Sequence, residues 1–186
     1  MKSNAPSYAV SSPRKVSRTS ITSLKPLVAK TISIRKNQSG VTYKDLFGDY
    51  LRTAKEICIT DPFIRQPYQI DNLVDFIMVK DVTTQQDTIK IHLSAQNDDD
   101  EKVAEVIESF NDLVDELLPM GIEFTYDFKA DHDRLIKTDT GWTITLGRGL
   151  DIYEKFNRFS LCRSNQTNRR CKAFSVSINN TLLILT

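Results

Sequence analysis

Apolar residues recur along this chain with two periods, and the switches between them divide it into elements. Thr31-Ile32-Ser33-Ile34 reads as a short strand that turns at Asn37 to Gly40. Thr42 followed by Asp45 resembles a capping box and predicts a helix of about a dozen residues carrying Leu46, Phe47, Tyr50 and Leu51. Glu56 to Asp61 reads as a strand stopped by Asp61-Pro62. Gln66-Pro67 opens a second helix, with Ile70, Leu73, Val74 and Ile77 at helical spacing. Thr88 to Ser94 alternates as a strand, which leaves His92 on the face opposite Ile89, Ile91 and Leu93 as a satisfied surface or second-layer residue. The clearest helix holds Val103, Val106, Ile107, Phe110, Leu113, Val114, Leu117 and Leu118 on one broad face and ends at Pro119 to Gly121. Strands follow at Ile122 to Phe128, around Trp142, Ile144 and Leu146, and at Phe174 to Ile178, with a helical turn expected from Leu150 to Phe156.

This order of strands and helices indicates an α/β fold, a mixed β-sheet flanked by helices on both faces. Ligands in such sheets sit beyond the carboxyl ends of strands, where Asp61 and the segment from His132 could share a crevice.

Composition changes this picture at the N-terminus. Residues 1 to 41 carry eight basic residues and no acid, whereas 17 basic and 24 acidic residues follow. Residues 1 to 30 are rich in Ser, Thr, Pro and basic residues, with few large apolar side chains, and read as a flexible basic linker or tail; residues 31 to 186 form the domain. Cys58, Cys162 and Cys171 are odd in number and lack C-x-x-C pairing, so neither a disulfide framework nor a zinc site is supported and a reducing cytoplasm fits best. Cys58 has no neighbouring base and reads as a small packed side chain. The run Asp98 to Glu101 is best placed at a helix start, where the dipole favours negative charge. No apolar run is long enough to span a bilayer, so a membrane would be met only peripherally.

The candidate chemistry lies between His132 and Leu150. His132, Arg134 and Asp139 stand in the order H-x-R-x4-D, and Gly147-Arg148-Gly149 ends the strand beyond them. Two glycines let the backbone turn or approach a ligand closely, while a permanently charged planar guanidinium projects from the turn. An imidazole, two guanidiniums and a carboxylate within so few residues suggest a phosphate site.

The pattern is one substitution from the H-x-K-x4-D signature of the phospholipase D superfamily. Together with Tyr43 to Phe47, Asp61-Pro62-Phe63-Ile64-Arg65, Thr140-Gly141-Trp142, Leu146-Gly147-Arg148-Gly149-Leu150-Asp151 and Arg170-Cys171-Lys172, it resembles the phospholipase-D-like C-terminal domain of MIT-domain proteins over residues 31 to 186. The resemblance implies a phospholipase-D-like fold, homodimerisation and binding to anionic lipids. It also points to a bacterial-type module attached to a larger protein such as a Lon-like ATPase. Residues 1 to 30 do not make the three-helix module of the eukaryotic members.

Those residues give three expectations. In the first, a cytoplasmic homodimer binds anionic lipid headgroups or a nucleic-acid backbone without cleaving them. His132, Arg134 and Arg148 contact phosphate, Asp139 orients them, and Arg65, Trp142 and Lys172 border the pocket, with no cofactor and no metal. Arg134 in the lysine position favours holding phosphate over turning it over. In the second, the dimer is a metal-independent phosphodiesterase or nuclease using His132 from each chain, with Arg134 and Asp139 in support. In the third, it is a dimerisation or recognition domain with a vestigial pocket.

Overall fold

The computed structural model describes residues 26–80, 88–96, 103–155 and 165–181. Its elements run β1 (Lys30–Ile34), α1 (Tyr43–Leu51), β2 (Glu56–Thr60), α2 (Pro67–Ile77), β3 (Ile89–Ser94), α3 (Val103–Leu117), β4 (Ile122–Asp127), β5 (Leu135–Thr138), β6 (Trp142–Leu146) and β7 (Phe174–Asn180). The acidic run Asp98 to Glu101, Cys162 and the expected tail up to residue 25 lie outside the described residues.

The strands form one seven-stranded mixed sheet in the order β1-β7-β6-β5-β2-β3-β4. β2, β3 and β4 are parallel, which the crossovers through α2 and α3 allow, and the strands from β5 through β6 and β7 to β1 pair antiparallel. The mixed α/β class expected from the sequence is what the chain adopts.

The placement of the helices differs from that expectation. Register puts Ile144, Ile136, Ile59, Leu93 and Tyr126 on one face of the sheet, and that face carries the core. Tyr50 of α1 packs on Trp142 with ring centroids 4.9 Å apart, and Phe110 of α3 packs on Tyr126 at 5.0 Å. α2 joins the same layer through Phe76, which meets Tyr43 and Phe47 of α1 edge-on. Among the described residues, therefore, the helices lie on one face, not two. The reason is legible in β3, Ile-Lys-Ile-His-Leu-Ser, whose polar alternates would be buried by a second helical layer.

The expected helix ends are found. Thr42 Oγ1 accepts from the Asp45 amide at 3.0 Å, and the Gln69 side chain accepts from the amide of Gln66, ahead of Pro67. Gly121 closes the turn after α3 with φ of 78°, a conformation that favours glycine. Leu118, placed on the apolar stripe by its spacing, falls in that turn and is exposed.

The helical turn expected at Leu150 is absent, and the chain up to Lys155 is not helical. Tyr153 instead forms a bridge with Cys171, Lys172 N–H donates to Ile152, and Glu154 N–H donates to Arg170. Pairing with a distant segment has replaced the local helical bonds. β5, inside the H-x-R-x4-D motif, was not separately expected.

Candidate functional site

The carboxyl end of β2 brings together the two segments that carried most of the resemblance. Asp61 follows β2 directly and is buried, with 3% exposure. Its Oδ2 accepts from the Leu150 amide at 2.9 Å and its Oδ1 from the Phe63 amide at 3.1 Å. Burial pushes its carboxyl above the ordinary range, while the two amides and the Arg134 guanidinium pull the other way.

Gly149 is required here. At φ of 61°, a β-carbon on it would stand 1.9 Å from Asp61 Oδ2. Leu146-Gly147-Arg148-Gly149-Leu150 thus wraps directly over Asp61, as the expected crevice between strand end and motif required.

Arg134 precedes β5 and lies half-buried. Its guanidinium stacks on the Phe63 ring at 4.1 Å and donates from Nη1 to Gly147 O at 3.2 Å, while its buried Nε has no hydrogen-bond partner. Arg65 approaches the same ring at 5.7 Å. Phe63 therefore collects two guanidiniums around one side chain, a role the sequence reading did not assign although Phe63 stood inside the quoted Asp-Pro-Phe-Ile-Arg segment.

Arg148 is exposed and donates from Nε to Ala173 O at 2.9 Å, which leaves its terminal nitrogens without a hydrogen bond to another described residue. Lys172, next to Ala173, pairs with Asp151 at 2.6 Å and is only partly available. His132 sits on an exposed bend two residues before Arg134, between exposed Asp131 and Asp133. It makes no hydrogen bond or ion pair with another described residue. His132, Arg134, Arg148, Arg65 and Lys172 thus share one end of the sheet.

Asp139 and Trp142 do not. β5 runs antiparallel to β2, so Arg134 lies beside the end of β2 and Asp139 beside its start. At roughly 3.3 Å per residue, Arg134 and Asp139, five positions apart along an extended chain, are separated by about 16 Å. The Asp139 carboxylate accepts from the Lys55 amide at 3.1 and 3.2 Å and orients nothing around Arg134. Trp142 is buried at the start of β6 against Tyr50 and does not border the site.

Behind the site lies a polar cluster that no local pattern announced. Arg169 is buried, donates to Asp75 at 2.9 Å and Asn72 at 3.0 Å, and covers the Tyr153 ring at 4.0 Å. These partners fix the segment before β7 to α2. Burial raises the Asp75 carboxyl and the Cys171 thiol, so Cys171 is not an activated nucleophile.

On the open face of the sheet, His92 is a satisfied surface residue, with Nδ1 2.9 Å from Thr125 Oγ1 and Nε2 3.8 Å from Asp127. It lines a shallow concavity of about 280 Å³ with Cys58, Lys90 and Thr125. Cys58 is exposed there, contrary to its reading as a packed side chain. Among the described residues no group of three or more His, Cys, Asp and Glu side chains could hold a metal, and no helix is long and apolar enough to cross a membrane.

A mixed sheet whose strand end gathers His132 and Arg134 beside the glycine-flanked Arg148 fits a phospholipase-D-like domain. The family model for the phospholipase D-like domain at the C-terminus of MIT matches residues 40–180, and the chain belongs to that family. It is 31% identical over 154 residues to MIT domain-containing protein 1 of Mus musculus. That match takes in 80% of this chain and 61% of the relative, so the chain spans less than two thirds of the relative's length.

Proposed function

We propose that this domain is a non-catalytic module that binds phosphate groups at the rim formed by Arg65, Arg134, Arg148 and His132, acting as a homodimer at the cytoplasmic surface of a membrane or on nucleic acid. One observation carries the reading. Two guanidiniums stack on Phe63 at 4.1 and 5.7 Å while Arg148, linked to them through Gly147, projects terminal nitrogens outward. Guanidiniums already ordered by stacking lose little freedom on taking up a phosphate.

Turnover is disfavoured by the same geometry. A nucleophilic imidazole needs a group that orients it, and the motif's own carboxylate, Asp139, is engaged with Lys55 at the far end of β5. Arg134 holds phosphate in its ground state well, and its partners Phe63 and Gly147 fix it in place.

Sedimentation with vesicles of phosphatidylcholine and phosphatidylserine, and titration with duplex DNA, separate the two sources of phosphate. Arg65→Ala and Arg148→Ala should each weaken binding roughly tenfold, the loss of one charge-assisted contact. Equal binding by the wild type and the double variant removes the site. Hydrolysis of a chromogenic phosphodiester that is abolished by His132→Ala would instead establish an enzyme.

A further inference from the structure

Asp61 is a carboxylate with almost no access to water, and a desolvated charge is retained in a fold only where several donors hold it. Its two amide donors belong to the loop that carries Arg65 and the loop that carries Arg148. Phe63 N–H comes from the loop whose ring supports Arg65 and Arg134, and Leu150 N–H from the loop that bears Arg148. The second loop is held from its other side as well, because the Tyr43 hydroxyl donates to Leu150 O. Gly149 lets the carboxylate lie against its α-carbon, where any side chain would collide with Oδ2. One residue, Leu150, is thus gripped by Asp61 through its N–H and by Tyr43 of α1 through its C=O.

We infer that Asp61 is the positioning residue of the phosphate rim: through the Phe63 and Leu150 amides it sets the separation of the Arg134 and Arg148 guanidiniums, and it touches no ligand itself. The inference rests on the rim being the binding site. It adds a division of labour within that site, in which a buried anion fixes the loops and exposed cations meet the ligand.

A double-mutant cycle tests it on the full chain, with vesicles of phosphatidylcholine and phosphatidylglycerol as the probe. Arg148→Ala should weaken binding roughly tenfold. Asp61→Asn, folded by circular dichroism, should also weaken it, and the double variant should bind about as Arg148→Ala alone does, because a mispositioned Arg148 has little left to lose. Losses that multiply, or wild-type binding by folded Asp61→Asn, overturn the positioning role. Gly149→Ala, which displaces the same carboxylate from the other side, should give the same non-additive pattern if Asp61→Asn does not fold. Amide exchange at Leu150 in the wild type is independent of every variant and of the probe. Slow exchange is expected, and exchange at the rate of an open chain overturns the inference. Wild-type vesicle binding that Arg148→Ala leaves intact sinks the rim as a binding site and is distinguishable from all of these.

Discussion

The two ends of the sheet handle polar groups in opposite ways. At the end where β2 begins, they are consumed by the fold. Lys80 is buried, and its ammonium donates to Leu51 O at 2.9 Å, Arg52 O at 2.8 Å and Ala54 O at 2.6 Å, which uses all three of its hydrogens on the carbonyls that follow α1. Asp139 satisfies the Lys55 amide and stands near enough to Lys80 to favour its charged form, against burial that holds it below the ordinary lysine range. At the end where β2 finishes, Asp61 is consumed in the same manner, but Arg134 and Arg148 are not. Arg134 rests on an aromatic face with its Nε unpartnered, and Arg148 is held by one bond from Nε, so donors are left over. A saturated end can only support structure, whereas an end with ordered, spare donors can also bind.

The sharpest way to break that comparison is to empty the saturated end. Lys80→Met keeps the aliphatic stem and leaves the Ala54 carbonyl buried without a donor, while Leu51 O keeps the Ala54 amide. Chemical denaturation should therefore show a loss of about 1–3 kcal/mol, while vesicle binding by the folded variant stays at the wild-type level. A stable variant that binds poorly would mean the two ends are not independent.

Asp139→Ala is the intermediate case, and it separates motif membership from function. In an active superfamily site the motif's carboxylate supports the histidine. Here it should cost about 1 kcal/mol of stability, through the Lys55 amide and the support it gives Lys80, with no change in binding. A tenfold loss of binding by folded Asp139→Ala would return the carboxylate to the site.

Much of this was open to reading before any coordinates. The stripes of α1, α2 and α3 and the caps at Thr42 and Gln66-Pro67 follow from spacing that acts within a turn or a strand, and the meeting of Asp61 with the motif from the gathering of sites at the carboxyl ends of strands. What escaped depended on distant partners or on weak alternation. In β5, Leu135 and Lys137 point outward while Ile136 and Thr138 are buried, a pattern with a leucine outside and a threonine inside that does not register as a strand. Missing that strand let Arg134 and Asp139, five positions apart, be imagined side by side when an extended chain must separate them. The extended run after Leu150 depends on Cys171 and Lys172, and the Arg169–Asp75 pair spans 94 positions, so neither is visible in a window of the sequence.

The smallest effect asks whether a paired charge at the binding end behaves like one at the saturated end. Asp127, where β4 finishes, accepts from Ser94 Oγ at 2.7 Å, and that bond is the chief cause holding its carboxyl below the ordinary range, with Lys129 and His92 adding to it. A carboxyl lowered in the fold stabilises it above the ordinary aspartate pKa, and that contribution is lost as the pH falls through the folded value. Ser94→Ala removes the chief cause, so the Asp127 carboxyl should titrate closer to its ordinary value in carbon-detected NMR and the acid limb of unfolding should begin at higher pH. At neutral pH the loss should be about 1 kcal/mol or less, since the pair is partly exposed. Vesicle binding should not change. Weaker binding would show that Asp127 helps to shape the rim even though its carboxylate is already engaged, and the distinction between saturated and spare groups would then fail where it matters most.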